Sequence, residues 1–171
     1  MSQTKSQNFD IECLEVVKLT EQYIKSSRIG ALATIIYDGK IIISRIYETQ
    51  ALLPESSPAD WDIEFLNVAI TFDSILSPKD MLLILKTVER EIGRKSSAKW
   101  APRVIDLDII FAGQEVINES HEISNFLIIP HKEFMNRTFF IVPVADIAPD
   151  YVHPLFGITI SNILIKQLQS S

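Results

Sequence analysis

Asp106 and Asp108 are separated by one residue within the apolar run Val104-Ile105-Asp106-Leu107-Asp108-Ile109-Ile110-Phe111. Side chains at i and i+2 of a strand share a face, so the two carboxylates converge. Two like charges on a largely buried strand are unfavourable unless a cation or a set of donors compensates them. A hard divalent ion suits that role, and magnesium in particular combines a few carboxylates with waters and substrate phosphates. From the pair alone, a second reading stays open: two aspartates on the solvent face of a strand.

Arg94, Arg103 and Arg137 accompany the pair, together with Lys95 and Lys99. The planar fork of arginine matches phosphate oxygens, so several arginines beside a metal-binding pair suit a triphosphate. Taken singly, each also fits a dispersed surface arginine. His131 follows Pro130 at the end of the run Phe126-Leu127-Ile128-Ile129; it can donate to a phosphate or hold a loop. Trp100 and Phe139 can sandwich a flat heterocycle or belong to the core. The Asn67 side-chain amide is able to read a lactam edge. No glycine-rich phosphate loop and no nucleophile elbow occurs in the chain.

The elements that must position these residues read as follows. Residues 1–8 are polar and aperiodic and are expected to be a disordered lead-in. Helical spacing of Ile11, Leu14, Val17, Tyr23 and Ile24 predicts a helix from Phe9 to Ser26. Two β-branched runs, Ala31 to Tyr37 and Ile41 to Tyr47, flank Asp38-Gly39 and predict a hairpin. Thr49 to Asp62, with Pro54, Pro58 and the Ser56-Ser57 pair, reads as a long loop. Phe65 to Phe72 reads as a strand, and Ser77-Pro78 starts a helix that runs to about Ile92 and stops at Gly93. A strand over Val104 to Phe111 follows, then loop and short strand over 114–130. Asn136 to Asp146 is helix or strand by periodicity, and Ile158 to Leu168 is a closing helix. This order gives an α+β domain, with helices packed on one mainly antiparallel sheet, over residues 9–171.

Composition narrows the function class. With 171 residues, 47% of them hydrophobic, the chain can bury a core as one domain. A net charge of −6 argues against a nucleic-acid binder. Cys13 lies among apolar residues and has no second cysteine to pair with, so a buried thiol is expected. Neither a signal sequence nor a membrane-spanning run is read from the chain, so a cytoplasmic protein is expected.

Taken together, Phe65-Leu66-Asn67, Glu89-x-x-x-Gly93-Arg94, Trp100-x-Pro102-Arg103-x-x-Asp106-Leu107-Asp108, Ile129-Pro130-His131 and Asn136-Arg137-x-Phe139 through Pro143 resemble the 6-hydroxymethyl-7,8-dihydropterin pyrophosphokinases in order and close to their spacing. The resemblance covers about residues 41–154. It implies a ferredoxin-like fold and transfer of the β,γ-pyrophosphoryl unit of ATP, the co-substrate, to the pterin hydroxymethyl oxygen with release of AMP. Asp106 and Asp108 would hold two magnesium ions, while Arg94, Arg103 and Arg137, with Lys95, would surround the phosphates and His131 would touch the nucleotide. Asn67 would bond the pterin ring, Phe139 would stack on it, and Phe65 and Thr49 would stand beside it. Trp100 would close on it from a mobile loop, with Thr49 to Asp62 as a second lid. Association with a dihydropteroate synthase is a further implication.

The chain also departs from the family pattern. The usual opening strand into Gly-Ser-Asn is absent, so the strand Ala31 to Tyr37 is expected to substitute for the missing edge. Thr49-Gln50-Ala51 replaces Thr-Pro-Pro, and Lys132 follows the histidine. The alternative reading that these departures support is a weakened or inactive ATP- or pterin-binding partner module of a folate enzyme.

Overall fold

The computed structural model describes residues 29–36, 42–95, 100–121 and 125–170. The expected lead-in and first helix, Cys13, the Asp38-Gly39 turn and Lys99 lie outside the described residues. Strand β1 (Ile29–Ile36) is followed by two short strands, β2 (Ile42–Ile43) and β3 (Tyr47–Thr49), and then by β4 (Phe65–Phe72). From Asn67 to Phe72 every residue of β4 is buried, as in a strand covered on both faces. One edge of β4 pairs with β1 in parallel, and the other pairs with β2 and β3 in antiparallel fashion.

Helix α1 (Pro78–Glu91) then carries the chain across to β5 (Leu107–Ala112), which pairs in parallel with the far edge of β1. The predicted hairpin therefore does not form: β1 pairs with β4 and β5, not with β2, and takes the centre of the sheet instead of an edge. Its sequence, IGALATII, has a single polar residue. Such a run suits a strand flanked on both sides better than a half-exposed hairpin arm. The class is α+β, with a main sheet that is parallel at its centre and antiparallel along the β2/β3 edge.

The run Ile41 to Tyr47 is broken where Ser44 sits. Its N–H donates to the Ala69 carbonyl and its Oγ accepts from the Ala69 N–H, both at 2.9 Å, so one residue satisfies both backbone groups of its partner. Arg45 then turns outward to Asp146, donating from its backbone N–H at 2.8 Å and from Nη2 at 2.9 Å.

Helix α1 begins as its sequence requires. Ser77 Oγ accepts from the Asp80 N–H at 3.2 Å, Pro78 occupies the first turn, and Gly93 ends the helix at φ +104°. Its face of Met81, Leu82, Leu85 and Val88 packs on Val68 and Ile70 of β4 and on Leu107 and Ile109 of β5. Burying one such side chain contributes roughly 1.5–3 kcal/mol. The predicted strand from Val104 starts three residues later, at Leu107, so Asp106 lies just before it and Asp108 on it.

Residues 114–130 form two strands where loop and one short strand were expected: β6 (Ile117–His121) and β7 (Asn125–Ile129), a separate antiparallel pair. Only one residue of β6 is apolar, Ile117, so it carries no alternating pattern. Beyond it, α2 (Thr138–Ile147) resolves the ambiguity over 136–146 as helix. Its apolar side chains run nearly all round, and Pro143 lies inside it, so neither period dominates the sequence. Together with α3 (Ile160–Ser170), α2 closes a second core through Phe140, Ile141, Val144, Ile160 and Ile163, against Ala69, Ile110 and Phe111. Among the described residues no helix is long and apolar enough to cross a membrane.

His153 is buried in that second core, its ring 5.3 Å from Phe111 and 4.7 Å from Phe156, and its Nδ1 accepts from the Leu155 N–H. Burial holds its pKa below the ordinary value. The unfolded chain therefore takes up a proton first as pH falls. Stability from the neutral ring is complete above the unfolded value, about 6.5, and is lost as pH drops through the folded one. The urea midpoint is expected to decline between about pH 7 and pH 5. In His153→Asn, whose amide oxygen can replace Nδ1 as acceptor, the midpoint at pH 7 should be lower but the decline shallower. An equally steep decline would remove His153 as a cause.

Candidate active site

A cavity of about 940 Å3 opens where the C-terminal end of α1, the start of β5, the start of β4 and the segment from Ile128 to Phe140 meet. The structure brings to it every residue singled out in the sequence within the described regions. Arg94, Lys95, Arg103, Asp106, Asp108, His131 and Arg137 line it together with Thr49, Phe65, Asn67, Trp100 and Phe139.

Two further residues line it: Glu89, named in the sequence only as part of the motif that runs to Arg94 and given no role, and Lys86, which the sequence expectations miss. Glu89 is almost fully buried on the last turn of α1. Its Oε1 accepts from the Leu107 N–H at 2.6 Å, from Lys86 Nζ at 2.7 Å and faces Arg94 Nη1 at 2.5 Å. Lys86 also donates to the Leu107 carbonyl at 2.8 Å. The signal available in sequence is their i,i+3 spacing on a helix, which ordinarily marks only a surface pair.

Asp106 has both oxygens engaged, Oδ1 by Arg94 and Oδ2 by Arg103, each at 2.5 Å. The Asp108 carboxylate accepts no hydrogen bond among the described residues, and Lys86 Nζ stands 4.0 Å from its Oδ1 and 3.9 Å from Asp106 Oδ1. These surroundings push the two carboxyls in opposite directions. Burial works to raise Asp106, but Lys86, Arg94 and Arg103 outweigh it and hold the group below the ordinary carboxylate range. Burial and the neighbouring Asp106 raise Asp108, only partly offset by Lys86, His131 and Arg94. Glu89 is raised by burial against the pull of Lys86, the Leu107 N–H and Arg94.

His131 is fixed by its backbone. Opposite β1, the pairing of β5 skips Ile110, a bulge, and the Ile110 carbonyl accepts the His131 N–H at 2.9 Å. The ring packs edge-on against Phe140, and Nδ1 accepts from the Glu133 N–H at 3.3 Å. Burial lowers the imidazole, outweighing the pull of Asp108. Arg137 lies over the Phe139 ring at 5.6 Å, its charge facing the cavity from the start of α2.

At the start of β4 Asn67 is buried, and its Nδ2 reaches Thr49 Oγ1 at 2.9 Å, the Tyr47 carbonyl at 3.3 Å and the Phe65 carbonyl at 3.4 Å. With its donors spent on the β3 edge, the amide offers Oδ1, an acceptor, to a ligand. Phe65 and Phe139 are half-buried there, while Trp100 is held at φ +74°, a conformation uncommon for a bulky side chain. Leu52 and Leu53 bring the long loop to the rim.

The donor set fits a hard cation bound together with a ligand. Among the described residues no three His, Cys, Asp or Glu side chains form a closed metal cage. Two carboxylates, one without a hydrogen bond, suit an ion that completes its shell with water and phosphate oxygens.

Comparison with known proteins gives the family. The family model described as 7,8-dihydro-6-hydroxymethylpterin-pyrophosphokinase matches residues 18–149. The 2-amino-4-hydroxy-6-hydroxymethyldihydropteridine pyrophosphokinase of Aquifex aeolicus is 36% identical over 118 residues, covering 67% of this chain and 65% of that protein. The protein of the same name from Synechocystis is 38% identical over 101 residues, 59% of this chain and 49% of its own length. A folate synthesis bifunctional protein of Chlamydia trachomatis is 35% identical over 106 residues, which are 62% of this chain and 23% of that one. The chain thus spans less than two thirds of the length of these relatives. With a match running unbroken from before β1 to the end of α2, the chain belongs to the 7,8-dihydro-6-hydroxymethylpterin-pyrophosphokinase family.

Proposed function

We propose that this chain transfers the β,γ-pyrophosphoryl unit of ATP to the hydroxymethyl oxygen of 6-hydroxymethyl-7,8-dihydropterin, releasing AMP, in folate biosynthesis. One observation carries the reading: a single cavity is lined both by the aspartate pair with its cations and by the Asn67 amide with two phenylalanines. Family membership and the names of the relatives support it.

In this reaction the pterin oxygen bonds to the β-phosphorus, and the bond from that phosphorus to the oxygen bridging the α- and β-phosphates breaks. Charge spreads over the phosphoryl oxygens in a loose transition state, so the protein acts by positioning and electrostatics. Arg94 and Arg103 turn from Asp106 to phosphate oxygens, with Arg137 and Lys95 as outer cations. His131 presents Nε2 to the nucleotide. Asn67 Oδ1 accepts from the pterin ring beside Thr49, and Phe65 and Phe139 give it an apolar seat that Trp100 covers. Two magnesium ions held by Asp106 and Asp108 would neutralise charge developing across the phosphates. The loop from Thr49 to Asp62 serves as a lid that keeps water from the donor.

The same reading extends to a ferredoxin-like domain over residues 9–171. It is supported by the split unit in which β4, α1 and β5 enclose another strand. A cytoplasmic location, where ATP is supplied, is part of the proposal. So is association with dihydropteroate synthase, since a relative is named a folate synthesis bifunctional protein.

Purified protein with ATP, magnesium and the hydroxymethyl dihydropterin should yield AMP, and chelation by EDTA should stop it. Asp108→Asn should lower kcat by about a hundredfold or more, the scale of losing an electrostatic stabiliser, with an unchanged circular dichroism spectrum. No AMP from folded parent protein would end the proposal. Asn67→Ala should raise the pterin KM about tenfold, the order of one lost buried hydrogen bond, while leaving that for ATP nearly constant; equal changes in both would contradict the assignment of Asn67 to the pterin.

A further inference from the structure

We infer that Lys86 is an internal counter-cation that makes metal loading of the Asp106, Asp108 pair conditional on the nucleotide. The inference rests on reading those aspartates as the metal ligands. Glu89, Asp106 and Asp108 stand against Lys86, Arg94 and Arg103, so the cluster without ligands is close to neutral. A divalent ion arriving alone meets no net attraction. The three cations differ, however, in their freedom to leave. Arg103 holds only Asp106 among the described residues and can swing to a phosphate. Arg94 divides itself between Asp106 and Glu89. Lys86 is held by Glu89 at 2.7 Å and by the Leu107 carbonyl at 2.8 Å, with its side chain mostly buried on α1.

Its charge therefore stays about 4 Å from both carboxylates whether or not a ligand is present. At that separation a unit charge remains strongly felt even with substantial screening. A triphosphate brings the negative charge that the cluster lacks and draws Arg103 and Arg94 off Asp106. Metal and nucleotide then favour each other's binding, and the coupling is reciprocal. The motif residues around it would fit any cation-assisted phosphate site, whereas Lys86 sets the order of loading.

The test is a titration with Mn2+ followed by electron paramagnetic resonance, on the full chain with and without a non-hydrolysable ATP analogue. Lys86→Gln keeps a donor for Glu89 and Leu107 but removes the charge. Its affinity for Mn2+ alone should tighten about tenfold, and the gain in metal affinity on adding the analogue should shrink about tenfold. Lys86→Arg, which keeps the charge, should retain the parental coupling. A purely packing role for Lys86 would leave the coupling unchanged. Lys86→Met replaces the Gln variant should circular dichroism show that one to be unfolded. No tightening in a folded, uncharged variant overturns the role of Lys86. Asp108→Asn separates the two levels: if Mn2+ binding with the analogue survives it, the reading of the metal site fails as well.

Discussion

Glu89 is the charge on which the cavity depends. A carboxylate this deeply buried is costly unless its oxygens are occupied, and leaving one unpaired inside a protein costs roughly 3–5 kcal/mol. Its partners come from three places: the Leu107 N–H at the start of β5, Lys86 one turn back on α1, and Arg94 just past the helix end. One oxygen thus fixes the distance between helix and strand and the course of the chain where it leaves the helix. Arg94, held there, delivers its other contact to Asp106. The positions of the site residues follow from satisfying this carboxylate.

The sheet supplies the rest. Because β1 separates β4 from β5, the amide of Asn67 and the carboxylate of Asp108 are placed on strands two apart, on either side of one central strand. The span between them gives the cavity room for two ligands side by side, in the upper part of the range usual for small-molecule pockets. The bulge at Ile110 frees a carbonyl for the His131 backbone, which brings a histidine remote in sequence beside Asp108. A regular ladder would have spent that carbonyl on another strand.

What was legible in the sequence was local. The strand Phe65–Phe72 and the helix capped by Ser77 and ended by Gly93 are observed over the residues expected, because apolar period and cap chemistry are properties of neighbouring residues. The gathering of distant site residues into one cavity was legible only through their motif order, since spacing alone carries no tertiary distance. The hairpin expectation failed for the matching reason. Asp-Gly and two β-branched runs encode the capacity to pair, not the partner, and β1 finds more complete pairing between two strands than beside one. Lys86 and the burial of its pairing with Glu89 stayed hidden because an i,i+3 ion pair looks the same in sequence whether exposed or buried.

The two aspartates show how one strand start gives two carboxylates of one residue type different surroundings. Asp106, just outside the ladder, is reached by two arginines and is stabilised as an anion. Asp108, one step inside and about as buried as its neighbour, has a carboxylate that accepts no hydrogen bond among the described residues, and burial and the ionised Asp106 both raise it. A carboxylate without a hydrogen bond is poor for stability and leaves its oxygens open to a ligand that brings its own compensating charge. Starting the strand one residue earlier would give both aspartates to the ladder, and the difference would vanish. The late start of β5, at Leu107 instead of Val104, is therefore what separates the anchored carboxylate from the available one.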